Sequence, residues 1–114
     1  MDTPKQTTTG MKVINLGESN SILNRFVAQM RDKKIQKDSM RFRRNLERLG
    51  EIFAYEISKT LDYSEKQIVT PLGIADMGLH DDKIVVATIL RAGLPLHQGI
   101  INYFDDAQNA FVAA

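Results

Sequence analysis

The sequence predicts an α/β fold: two N-terminal helices and a β-hairpin lead into a parallel-sheet core. Three observations carry that expectation. Apolar residues recur at helical spacing from Ile22 to Ile57. The continuous run Ile84-Val85-Val86-Ala87-Thr88-Ile89-Leu90 is rich in β-branched residues and suits a strand covered on both faces, as parallel strands are. That run is followed by a glycine break, a helical stripe and a second apolar strand, an order that should close as a right-handed parallel unit.

Taken in order, residues 1–11 are polar and Thr-rich, without apolar periodicity, and read as a disordered leader. Lys12-Val13-Ile14-Asn15-Leu16 is a short extended piece. Ser19, Asn20 and Ser21 offer capping oxygens, and Ile22, Leu23, Phe26, Val27 and Met30 form one stripe, giving a helix over about 20–33. Asp38 or Ser39 can cap the next and longest helix, about 39–61, whose buried face is Phe42, Leu46, Leu49, Phe53 and Ile57. Gln67-Ile68-Val69-Thr70 and Ile74-Ala75-Asp76-Met77 flank Pro71-Leu72-Gly73, a hairpin signal. His80-Asp81-Asp82 reads as a polar turn before the buried strand. After it, Leu94, Pro95, Leu96, Ile100, Ile101 and Phe104 return to helical spacing, Pro95 sitting in the first turn. Asp105 and Asp106 should end that helix, and Asn109 to Ala114 should form the last strand.

Length and composition bound the function. The chain has 114 residues, 43 % apolar and 25 % charged, enough for one small domain and too apolar for wholesale disorder. It has no cysteine, so it has neither a disulfide framework nor a thiolate metal site, which fits a reducing, cytoplasmic setting. No apolar stretch approaches the roughly 20 residues that span a bilayer. The N-terminus lacks the charged, apolar and cleavage regions of a secretory signal. The net charge of +1 conceals an asymmetry: Arg25 to Arg48 holds nine basic and three acidic residues, a net +6, leaving −5 for the rest. Such a block could meet phosphates, nucleic acid or an acidic partner, or simply face water along a helix. Glu47 and Glu51 stand at helical spacing from its arginines and can pair with them.

The chemistry concentrates at Arg91-Ala92-Gly93. This tripeptide lies where a buried strand ends and a helix begins, the ligand-binding edge of open α/β sheets. Free N–H groups at the helix start favour an anion, and Ala92 and Gly93 leave room for backbone to approach it. Arg91 adds a permanent charge and a donor fork that matches phosphate oxygens. The three effects together point to a phosphate or pyrophosphate subsite.

Arg41-Phe42-Arg43 opening a long helix, Tyr55-Glu56 late in it, and Ile89-Leu90-Arg91-Ala92-Gly93-Leu94 after a buried strand occur in that order. This ordered set resembles the uracil phosphoribosyltransferases, over about Asn20 to Val112 and over about the first half of a typical member. The resemblance implies a phosphoribosyltransferase-like core topped by a hood, with residues 12–114 as the incomplete N-terminal part of that domain. It implies transfer of the ribose phosphate of phosphoribosyl pyrophosphate to uracil, giving UMP and pyrophosphate, with Mg2+ accompanying the substrate and a homodimeric assembly. On this resemblance Arg91, Ala92 and Gly93 form the pyrophosphate-binding loop. The family's later phosphate arginine, its Thr- and Gly-rich ribose-phosphate loop and its uracil-recognising segment are missing here. A polypeptide of only these residues is therefore expected to be an inactive, truncated form.

Other candidates carry less. His80 with Asp81 and Asp82 resembles a metal cluster superficially, but adjacent residues in a turn cannot converge on one ion, and no metal site is expected. His97, one turn into the helix after Gly93, is expected to be partly exposed. Met30, Met40 and Met77 are expected to pack in the core or at its edge. Tyr55-Glu56 could stabilise the hood or a dimer seam. Two alternatives stand beside the enzyme reading: a basic helical module that binds nucleic acid or an acidic protein, and a catalytically silent dimerisation fragment. The basic block carries no nucleic-acid signature, and Phe26 and Phe42 fall on apolar stripes, so nucleic acid is the less favoured partner.

Overall fold

A computed structural model describes residues 12–113. The leader predicted over 1–11, and Ala114, lie outside the described residues. After a turn of 3-10 helix at Leu16–Glu18 come helix α1 (Leu23–Arg31) and, past a second such turn at Ile35–Lys37, helix α2 (Ser39–Ser58). Strands β1 (Tyr63–Thr70) and β2 (Gly73–His80) form the hairpin, and β3 (Val85–Leu90), α3 (Leu94–Ile101) and β4 (Gln108–Ala113) complete the chain. The element order is the one the sequence predicts, and the fold is α/β, with an antiparallel hairpin and a parallel pair of strands.

The predicted caps hold in part. Asp38 ends the extended approach to α2 and accepts the backbone N–H of Arg41 at 3.1 Å, satisfying a first-turn donor that the helix cannot satisfy itself. Ser21 Oγ accepts from Leu23 N at 3.2 Å. Asp32 Oδ1 accepts from Lys34 N and Ile35 N, pinning the joint between the helices. Those N–H groups, Ile35 first and then Lys34, hold the Asp32 carboxyl below its usual value.

The buried surface of α2 differs from the predicted one. Leu49 is buried, but Phe42, Leu46 and Phe53 are half-buried and Ile57 is 47 % exposed. The most enclosed positions are Asn45, Gly50 and Ala54 instead. The cause is that α2 has two neighbours. It packs against α1 on one side and against α3 on another, and the second contact is a crossing of glycines. A Cβ on Gly99 would overlap the carbonyl oxygen of Glu47, and a Cβ on Gly50 would overlap that of Leu96 and lie 3.0 Å from Gly99 Cα. Hydrophobic periodicity does not register a contact made by the absence of side chains.

The hairpin is longer than predicted, with eight residues in each strand, paired from Tyr63↔His80 to Thr70↔Gly73. Its turn is Pro71-Leu72, and Gly73 has φ +136°, a backbone state that side-chain-bearing residues rarely adopt. His80 is not in a turn: it ends β2, edge-on to Tyr63 and Phe104, with ring centroids 5.8 and 6.1 Å away. Away from this base the hairpin is bare, with Val69 84 % and Leu72 100 % exposed. Met40 and Met77, expected in the core or at its edge, are exposed, because Met40 lies in the first turn of α2 and Met77 on the hairpin.

β3 and β4 pair in parallel from Val85↔Gln108 to Leu90↔Ala113, as predicted. The expectation that β3 is covered on both faces fails. Val86, Thr88 and Leu90 alternate inward, while Val85 and Ile89 are 59 % and 63 % exposed. α3 packs on one face only, and among the described residues nothing covers the other. The helix ends at Ile101, before the predicted Asp105-Asp106 stop, as the backbone turns at Asn102 and Tyr103. The apolar core is accordingly small: Leu23, Leu49, Ala54, Val86 and Phe104. The exposed surface is 9086 Å², where a closed domain of this mass would expose about 6300 Å².

Candidate functional site

Arg91, Ala92 and Gly93 stand where the sequence predicts, at the C-terminal end of β3 and the start of α3. Arg91 and Ala92 are exposed. No carboxylate among the described residues pairs with Arg91, nor with Arg25, Arg31 or Arg43, whereas Arg41, Arg44, Lys59 and Lys66 have acidic partners. The Leu90–Arg91 peptide bond is cis. Gly93 is the N-cap of α3 and brings no side chain to its first turn, so no side-chain oxygen competes there for an anion. The loop is tied down from behind: Gly93 N donates to Ile89 O at 3.3 Å, Leu94 N to Arg91 O at 3.1 Å, and His97 N to Gly93 O at 3.0 Å.

The reason for glycine at position 93 differs from the one the sequence suggests. Its φ of −78° is open to any residue. A Cβ there would instead overlap Thr88 Oγ1 and stand 2.9 Å from the carbonyl oxygen of Ile89. The missing side chain thus lets the loop fold back onto its own strand, which fixes where Arg91 emerges. Thr88 is the residue that sequence reasoning missed. Its only trace was a hydroxyl within an otherwise apolar run.

His97 corrects an expectation. It is 5 % exposed, not partly open. Its Nε2 lies 2.7 Å from Asn109 Oδ1, its ring centroid is 5.1 Å from that of Phe111, and its Nδ1 is buried without a hydrogen-bond partner. The imidazole pins α3 to β4, since the side chains of Asn109 and Phe111 lie on the α3 face of the sheet. Among the described residues no three His, Asp or Glu side chains converge as metal ligands. None of the helices described is long and apolar enough to cross a membrane.

The basic block is partly absorbed by local structure. Arg44 pairs with Glu47 at 2.7 Å. This bond, followed by one from Asn102, holds the Glu47 carboxyl below its ordinary value. Arg48 does not use Glu51 as a partner: it donates to the buried Asn45 at 2.9 Å and lies 5.3 Å over the Phe26 ring. Asn45 in turn donates to Gln29 Oε1 at 3.0 Å, so these polar groups seal the α1–α2 seam. Asn102 at the end of α3 donates to both Glu47 and Glu51 at 2.8 Å. Tyr55 is exposed, with Lys59 Nζ 4.9 Å over its ring.

A parallel strand ending in an Arg-Ala-Gly turn and an uncapped helix, preceded by a helical pair and a hairpin, defines a phosphoribosyltransferase-like α/β protein. The profile of the uracil phosphoribosyltransferase family matches residues 18–113. The uracil phosphoribosyltransferase of Porphyromonas gingivalis is 58 % identical over 104 residues, 91 % of this chain and 48 % of that protein. The one from Sulfolobus acidocaldarius is 38 % identical over 99 residues, 84 % of this chain and 45 % of that protein. Among solved structures, the AQ2163 protein from Aquifex aeolicus superposes with a TM-score of 0.68 at 27 % identity, covering 82 % of this chain and 44 % of that one. The chain belongs to the uracil phosphoribosyltransferase family, and it spans about half the length of the curated relatives it matches.

Proposed function

We propose that Arg91, Ala92 and Gly93 form the pyrophosphate-binding loop of a uracil phosphoribosyltransferase. The whole protein would transfer ribose phosphate from phosphoribosyl pyrophosphate to uracil, yielding UMP and pyrophosphate in pyrimidine salvage. The observation that carries this reading is an exposed arginine that pairs with no carboxylate among the described residues, set beside an uncapped helix start at the end of a parallel strand. As the glycosidic bond to pyrophosphate breaks, negative charge builds on the departing oxygens. The Arg91 guanidinium is placed to meet it, on a loop held in position by the bond from Gly93 N to the Ile89 carbonyl. Mg2+, when bound, neutralises part of the charge on the pyrophosphate. The ion would be held mainly by the substrate's phosphate oxygens.

In this reading the chain is the N-terminal part of the domain and is inactive alone, because the ribose-phosphate and uracil subsites lie in the portion of the family pattern it does not span. A homodimer is supported by the exposed apolar tip of the hairpin, and the substrates are those of cytoplasmic nucleotide metabolism. The test is a calorimetric titration of the 114-residue chain with phosphoribosyl pyrophosphate and Mg2+. Arg91→Ala is expected to weaken binding by at least about tenfold, the loss of one charge-assisted pair. Equal binding by wild type and variant overturns the assignment, and UMP formation by the purified chain overturns its inactivity.

A further inference from the structure

The loop that carries Arg91 is braced from two strands. On the β3 side, Thr88 fills the space beside Gly93, where a Cβ would overlap its Oγ1. On the β4 side the brace is His97, whose backbone N donates to the Gly93 carbonyl at 3.0 Å and so closes the first turn of α3. Its imidazole is 5 % exposed, with Nε2 2.7 Å from Asn109 Oδ1 and the ring centroid 5.1 Å from that of Phe111. Phe111 is the register partner of Thr88, so the two braces meet across one rung of the parallel ladder. An amide oxygen only accepts, so Nε2 carries a hydrogen and donates it to Asn109. Nδ1 is buried and has no hydrogen-bond partner among the described residues. Leaving that nitrogen unpaired costs free energy that an apolar side chain of the same bulk would not incur. What the imidazole adds in return is one directed bond.

We infer that His97 is a positioning residue for the anion loop. Its bond to Asn109 fixes the first turn of α3 against β4, and through the Gly93 carbonyl it fixes where Arg91 and the N–H groups of the helix start stand. Among the described residues it is the only side-chain hydrogen bond between α3 and the sheet. The far end of α3 is held elsewhere, by Asn102 to Glu47 and Glu51 of α2 and by the glycine crossing at Gly50 and Gly99. Those contacts do not reach the loop. Without the His97 bond, α3 can turn on its crossing with α2 and carry residues 91–93 with it. Charge-assisted bonds to a phosphate need close, aligned donors, and a misplacement of about 1 Å is enough to lose much of their effect. The effect on substrate rests on the proposed role of residues 91–93, whereas the effect on the loop itself does not.

The test reads the loop of the 114-residue chain in two ways. One is amide hydrogen exchange at Gly93 and Leu94, and the other is calorimetric titration with phosphoribosyl pyrophosphate and Mg2+. His97→Leu keeps the bulk and removes the donor. Exchange at Gly93 and Leu94 is expected to quicken by at least about tenfold, while exchange in the β1–β2 hairpin stays as in wild type. Substrate binding is expected to weaken about tenfold, and in an Arg91→Ala background His97→Leu should add less than about twofold. His97→Gln can return an N–H to Asn109 Oδ1 and should restore both readouts to within about threefold of wild type. Asn109→Ala removes the acceptor from an exposed strand position and leaves α3 untouched. It is expected to act in the same direction, which keeps the proposal open to test even where His97→Leu does not fold. Unchanged exchange at Gly93 and Leu94 in the folded variants overturns the proposal. So does exchange that quickens equally in the hairpin, or a glutamine variant no better than leucine, since either marks a role in packing alone. An exchange response in a chain that does not bind phosphoribosyl pyrophosphate supports the positioning role and counts against the pyrophosphate assignment alone.

Discussion

The α2–α3 seam and the β3–β4 sheet lie on two sides of one short helix, and they are built in opposite ways. At the seam, glycines at 50 and 99 let backbone meet backbone, and Asn102 locks the end of α3 to Glu47 and Glu51. At the sheet, one face is covered by α3 while the other shows Val85, Ile89 and Val112 to solvent. The hairpin resembles the open side, since it is paired within itself and bare along most of its length. The difference teaches where folding information is complete within these residues. The helical seam supplies both of its surfaces, whereas the sheet, among the described residues, has one covered face and one open face.

Paired glycine substitutions are the sharpest way to break this contrast. In Gly99→Ala the new methyl meets the Glu47 carbonyl and the backbone N–H of Glu51, which cannot swing aside as a side chain would. A loss of about 3 kcal/mol is expected, the upper end of overpacking costs. Gly78→Ala, in β2, meets nothing within 4 Å, and should be neutral or stabilising by up to about 1 kcal/mol, because alanine restricts the unfolded chain. Thermal unfolding followed by circular dichroism reads both. Similar losses at the two sites would show that the seam is no tighter than the hairpin.

Asn45→Ala probes whether the α1–α2 seam is also closed by specific contacts. Asn45 is 1 % exposed and links Gln29 to Arg48. Its removal leaves the half-buried Gln29 amide and Arg48 guanidinium without this partner, at about 2 kcal/mol. A double-mutant cycle with Arg48→Ala should show coupling above about 0.5 kcal/mol. Additive losses would mean that the seam is held by apolar packing alone.

The same contrast explains what the sequence could disclose. The order of elements was legible because helical and strand periods are written in apolar side chains, as in Leu46–Leu49–Phe53 and Ile84–Leu90. The position of Arg91-Ala92-Gly93 was legible because a glycine break after a buried run marks a strand-to-helix turn. The α2–α3 crossing was not, since Gly50, Ala54 and Gly99 carry no hydrophobic signal and reveal their role only when two helices meet. The burial of His97 was hidden too, because Asn109 and Phe111 reach it through strand register. The two-sided cover expected for β3 followed from composition alone, and composition does not say which segment supplies the cover.

The smallest expected effect concerns the acid side of the closed seam. Glu47 accepts from Arg44 first and from Asn102 second, and these bonds hold its carboxyl below the ordinary value of 4.5. A carboxylate with a depressed folded-state pKa adds stability that is fully present above the unfolded value. It is lost as pH falls through the folded one. The difference in melting temperature between wild type and Glu47→Gln should therefore be constant near neutrality and shrink between about pH 5 and about pH 3. Asp32 also has a lowered value, but its bonds lie in the exposed joint and are common to both proteins, so they cancel in the comparison. A difference that persists unchanged to low pH would show that Glu47 acts at the seam through shape and hydrogen bonding, which glutamine disrupts equally at every pH, and not through its charge.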